Sequence, residues 1–155
     1  VLVAVSRSKW SSRQTGGSTP HILYYKYKRE AMRVEVREVN GHPIPSLPDE
    51  PQPRRSLLFA MLRDANGQED LYLGEIAKAE AGQTILDLYN NFVDVQLYPD
   101  GRAIIEELRY TPEEEEEMGP PQRIELTVQE VKQLILDWLE AERRWVEDKR
   151  RREAN

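Results

Sequence analysis

The chain of 155 residues contains no cysteine. That absence removes disulfides, thiol catalysis, iron–sulfur clusters and Cys-ligated structural zinc, and it fits a cytoplasmic or other reducing intracellular compartment. Histidine is almost as scarce, with only His21 and His42 present. Neither has His, Asp or Glu at the spacing of a metal or triad motif, so His-based zinc sites and nucleophilic triads have little to stand on. No metal and no cofactor is therefore expected. Long apolar runs are missing too: nothing approaches the roughly 18 residues that span a bilayer, and residues 1–5 are too short for a signal-peptide core. Because the chain begins at Val1 rather than Met, nothing follows about what precedes it.

What is present is enough apolar material for one core. With 39% hydrophobic and 32% charged residues the composition is globular, and the length suits a single domain over 1–155. The net charge of −6 conceals a split. Residues 1–38 carry eight Arg/Lys against three Glu (+5), and residues 39–155 carry fourteen against twenty-five acids (−11), so the two regions face different partners or each other.

Periodicity predicts an α+β fold: an antiparallel sheet of about five to seven strands packed by a long C-terminal amphipathic helix over 127–152. Residues 1–5 read as a short strand. From His21 onward the alternating β-branched and aromatic residues predict two more strands, the second placing Met32, Val34 and Val36 on one face. Residues 57–62 are apolar on both strand faces, and Asn66-Gly67 is hairpin-turn chemistry, which predicts a hairpin over 57–76. Residues 77–92 fit either a short helix or a strand, with the balance slightly to helix. A second hairpin is predicted over 93–110, turning at Pro99-Asp100-Gly101. Segments 7–20, 40–55 and 111–123 are expected to be flexible or irregular. The first is rich in Ser and Gly, the second in proline, and the third holds the acidic run 113–117.

The terminal helix is the firmest element. Thr127 and Glu130 have capping-box spacing, and Val128, Val131, Leu134, Ile135, Trp138, Leu139, Trp145 and Val146 fall on one stripe. Glu142 lies within that stripe, where a carboxylate is costly unless paired or wet. Two explanations compete: the helix outruns its core after Leu139, or Trp138, Glu142, Trp145 and Val146 meet a partner chain.

Two other features have bland readings that weigh more. The 113–117 run is the pattern of a solvated loop, and Glu106 and Glu107 point to opposite strand faces and cannot cooperate as acid and base. The basic, aromatic stretch from Lys9 and Trp10 through Tyr24, Lys26, Lys28 and Arg29 mixes cations for phosphates with rings for bases. No pattern reaches a catalytic signature. The leading expectation is a non-enzymatic protein-binding or assembly module with a protein partner or a second copy of itself. The alternative is a single-stranded nucleic-acid-binding domain using that N-terminal stretch. Carboxylate chemistry in a sheet-mouth pocket is neither supported nor forbidden.

Overall fold

The computed structural model describes residues 2–6, 23–27, 32–83, 86–89 and 92–155. They fall into two compact units, Val1–Met32 and Arg33–Asn155. In the first, β1 (Leu2–Ser6) pairs antiparallel with β2 (Leu23–Tyr27), Leu2 opposite Tyr27 and Ser6 opposite Leu23.

The second unit is α+β. It begins with a two-stranded hairpin, β3 (Glu35–Val39) and β4 (His42–Ser46). Asn40 and Gly41 form its turn with φ of 52° and 78°, the left-handed values that a tight two-residue hairpin demands. Val39 and His42 flank the turn and exchange hydrogen bonds in such a loop, so the pairs Glu38–Pro43 and Val36–Pro45 are non-hydrogen-bonded. Pro43 and Pro45 therefore sit where a missing N–H removes no ladder bond.

Helix α1 (Arg54–Ala65) and helix α2 (Glu69–Glu80) follow, joined by Asn66-Gly67-Gln68. α1 buries Leu57, Leu58, Met61, Leu62 and Ala65, and α2 buries Tyr72, Ile76 and Ala79. The chain then forms a four-stranded antiparallel meander, β5 (Leu86–Tyr89), β6 (Val93–Leu97), β7 (Arg102–Glu107) and β8 (Arg123–Thr127), in that spatial order. Between β7 and β8 lies helix α3 (Pro112–Met118), which buries nothing.

Register decides the faces of this sheet. Leu88, Val95, Ile105 and Ile124 lie across from one another in turn, as do Leu97, Ala103 and Leu126, so one face is apolar. That face meets α1, α2 and the terminal helix α4 (Val128–Ala154). α4 starts as its spacing predicts: the Thr127 hydroxyl accepts from Glu130 N–H at 3.0 Å, and the Glu130 carboxylate accepts from Thr127 N–H at 2.9 Å. The Val128 amide donates to Gly101 O at 2.8 Å, which fixes the helix start against the β6–β7 turn. Val128, Val131, Leu134, Ile135 and Trp138 are buried, each contributing about 1.5–3 kcal/mol of apolar burial.

The 93–110 hairpin and the capped terminal helix are as the periodicity predicts. The 57–76 hairpin is not: that stretch is the α1–α2 helical pair. Its apolar positions recur at 57, 58, 61, 62 and 65, a 3.6-residue period that a six-residue window reads as a two-faced strand. Instead of one sheet of five to seven strands, Arg33–Asn155 builds a four-stranded sheet and a separate two-stranded hairpin. Residues 77–80 end α2 and 86–89 form a strand, so the described residues of 77–92 take the strand alternative rather than the slightly favoured separate short helix. Segments 40–55 and 111–123, expected to be irregular, contain β4 and α3. Segment 7–20 lies outside the described residues.

Candidate binding site

At about 100° per residue, the buried side chains of α1 occupy one arc of about 140°. Arg55, Ser56, Phe59, Ala60 and Arg63 occupy an opposite arc of similar width. Arg55, Phe59 and Arg63, at i, i+4 and i+8, form a ridge along it. Arg55 and Arg63 are exposed and Phe59 is half-buried between them. Two clefts lie along this ridge. The first, about 490 Å³, is bounded by Arg37, the Pro45–Pro48 segment and Arg55; the second, about 350 Å³, runs from Arg63 to Phe92, Leu108 and Met118. Both are lined by Ser56 and Phe59, so they form one continuous surface. Phe92 and Met118 are 65% and 63% exposed, large apolar side chains at the rim of an apolar cleft.

The far wall is braced by Arg109. Its guanidinium pairs with Glu107 at 3.2 Å and also donates to Gly119 O at the end of α3 and to Leu108 O. Thr111 caps α3 by accepting from Glu114 N–H at 3.1 Å, with Pro112 at the first helical position. Thr-Pro-Glu-Glu is a helix-start signature that a charge-run reading of 113–117 overlooks. It is the sequence signal by which the cleft's α3 wall could have been found.

The α4 residues separate. Trp138 is fully buried, and its indole N–H has no hydrogen-bond partner among the described residues. It is a core residue of this fold, since nothing of it is left at the surface for a partner to touch. Beyond it, α4 meets β3 and β4, and Lys149 Nζ donates to Gly41 O at 3.2 Å while lying 4.9 Å from the Trp145 ring centroid. Trp145 is half-buried and Val146 is 38% exposed. Burial, followed by the charge of Glu69, raises the Glu142 carboxyl above its ordinary value. On the solvated face Arg143 and Arg144 both bond Glu140 and hold its carboxyl down at about 2. The helix thus continues past the sheet's core because the β3–β4 hairpin lies against its second half.

Of the N-terminal candidates, Lys9, Trp10, Lys28 and Arg29 lie outside the described residues. Tyr24 and Lys26 lie on β2, opposite Val5 and Val3, two residues apart and so on one face of that ladder. His42 is exposed at the hairpin turn, and His21 lies outside the described residues. The second face of the four-stranded sheet carries Asp87, Asp94, Glu106, Arg123 and Glu125. Burial and then the charge of Asp87 push the Asp94 carboxyl up. Among the described residues no group of three or more His, Asp or Glu is placed to hold a metal ion, and no helix is long and apolar enough to cross a membrane. No protein-family model, curated protein or solved structure matches this chain.

Proposed function

We propose that this chain is a non-catalytic protein-binding module of a larger assembly, and that it docks its partner on the exposed face of α1. The observation that carries the reading is the placement of Phe59 at the junction of two clefts, one of them rimmed by Phe92 and Met118. Apolar side chains gathered at a concave, argininyl surface have the composition of an interface centre, where aromatic residues, Met and Arg are enriched. The second half of α4, with Glu142, Trp145 and Val146, is a rival contact surface, supported by the exposure of Val146.

Sizing the protein in native extracts tests both. Wild type is expected to elute well above its own 18.1 kDa. Phe59→Ala with Met118→Ser should return it to the monomer position, whereas Trp145→Ala with Val146→Ser should leave the assembly intact. The reverse pattern would move the docking surface to α4. Elution of wild type as a free monomer would sink the module reading. Tight, salt-sensitive binding of a labelled single-stranded oligonucleotide, measured by anisotropy, would replace it with the nucleic-acid alternative.

A further inference from the structure

Arg37, Arg55 and Arg63 are exposed and, among the described residues, pair with no carboxylate, although the chain carries 28 Asp and Glu against 22 Lys and Arg. Elsewhere Arg33, Arg54, Arg102, Arg109, Arg143, Arg144 and Arg151 each hold one, while Arg123, Arg150 and Arg152 are likewise unpaired among the described residues but line neither cleft. These three guanidiniums thus line the two clefts that share Phe59, Arg37 and Arg55 the first and Arg63 the second.

We infer that the occupant of this face is an acidic segment of a partner protein, bound extended along α1, with carboxylates flanking one large apolar side chain. The inference rests on the docking-face reading above and names the chemistry of its partner. Arginine forks carboxylates through paired N–H donors, and Phe59 supplies the apolar floor between two forks.

Spacing makes the match specific. Arg55 and Arg63 are eight residues apart on a helix, about 12 Å at 1.5 Å per residue, with Phe59 midway. An extended peptide advances about 3.3 Å per residue, so positions i and i+4 are about 13 Å apart and share a face with i+2. An acid-x-apolar-x-acid segment therefore places its acids at Arg55 and Arg63 and its apolar side chain at Phe59. Arg37, across the first cleft, can take a further acid beyond the Arg55 end. A nucleic acid fits less well. Its unbroken charge would continue past the second cleft toward α3, whose exposed Glu113, Glu115, Glu116 and Glu117 repel it, whereas a peptide can end before them.

The test is selection from a displayed library of random short peptides on the intact protein, followed by affinity measurement of the enriched sequences. Enrichment of Asp or Glu on both sides of an aromatic or aliphatic residue is expected. Binding should weaken at least tenfold in Arg55→Glu with Arg63→Glu and fall as salt rises. Arg150→Glu with Arg152→Glu makes the same change of net charge at the far end of α4 and should leave affinity unchanged; an equal loss there would mean general charge attraction and overturn the inference. Enriched peptides that are uncharged or basic yet depend on Phe59 would overturn the acidic partner and leave the docking face standing. Failure to enrich any Phe59-dependent peptide would overturn both. Concentration-dependent dimers abolished by Arg55→Glu with Arg63→Glu would make the occupant a second copy of this chain. An oligonucleotide that displaces the peptides at physiological salt would make it a nucleic acid.

Discussion

Lys149 Nζ donates to the carbonyl of Gly41, 108 residues earlier in the chain, at 3.2 Å. The bond joins the last turns of α4 to the tip of the β3–β4 hairpin, and the same ammonium lies over the Trp145 ring. Both contacts are near the surface, so their worth is modest. Lys149→Ala should cost about 0.5 kcal/mol. Its larger signature should be faster amide hydrogen exchange around the hairpin tip, with the first half of α4 unaffected. Unchanged exchange there would mean that the hairpin is held by its other contacts with α4.

Trp138 separates packing from polarity. Trp138→Ala is expected to cost about 3–5 kcal/mol, because it empties the position where α4 meets the core. Trp138→Phe removes a buried N–H that has no acceptor among the described residues, which offsets part of the lost volume, and should cost only about 1 kcal/mol. Chemical denaturation of both variants checks the ordering; a Trp138→Phe cost well above this would indicate that the indole N–H is hydrogen-bonded in the folded protein.

Glu142 predicts a pH dependence of definite sign. Its carboxyl is raised in the folded protein by burial and by Glu69, so the folded state binds this proton more tightly than the unfolded chain. The penalty for charging it is present at neutral pH and disappears as pH falls through the raised value. Glu142→Gln should therefore be more stable than wild type at pH 7, by about 0.3 kcal/mol after screening of a half-exposed group. At pH 4, below the ordinary 4.5, the difference should close. Thermal melts at both values read this directly, and a variant less stable at pH 7 would contradict it.

The Tyr72 hydroxyl is buried and donates to the half-buried Asp64 carboxylate, tying α2 to α1. Burial and then Asp64 push its ionisation far above the ordinary tyrosine range, so the tie persists through alkaline conditions that ionise exposed tyrosines. Tyr72→Phe leaves the carboxylate without this donor and should cost about 1–2 kcal/mol. A melt indistinguishable from wild type would show that water replaces the hydroxyl.

Two Asn-Gly pairs mark how far the fold could be read from sequence. Asn66-Gly67 lies between two apolar runs and predicts a hairpin, yet it joins α1 to α2. Asn40-Gly41 lies beside prolines and reads as an irregular connection, yet it makes the tight hairpin turn. Turn chemistry is local, whereas the choice between helix and strand was carried by a twelve-residue apolar period in α1 and by the non-hydrogen-bonded placement of Pro43 and Pro45 in β4. The legible elements were those whose signal was complete in one stretch: the Thr127–Glu130 cap, the α4 stripe and the β6–β7 alternation. The α1 face was illegible for a related reason. Arg37 acquires a common surface with Arg55 and Phe59, 18 and 22 residues later in the sequence, only when the β3–β4 hairpin and α1 are packed together.

The isolation of Trp138 has an optical consequence. An indole shut away from water, with no acceptor for its N–H among the described residues, emits at shorter wavelength than the half-covered Trp145 beneath its lysine. Of the two described tryptophans, the bluer emission therefore comes from the junction of α4 with the core. Its red shift would time the opening of that junction without any label.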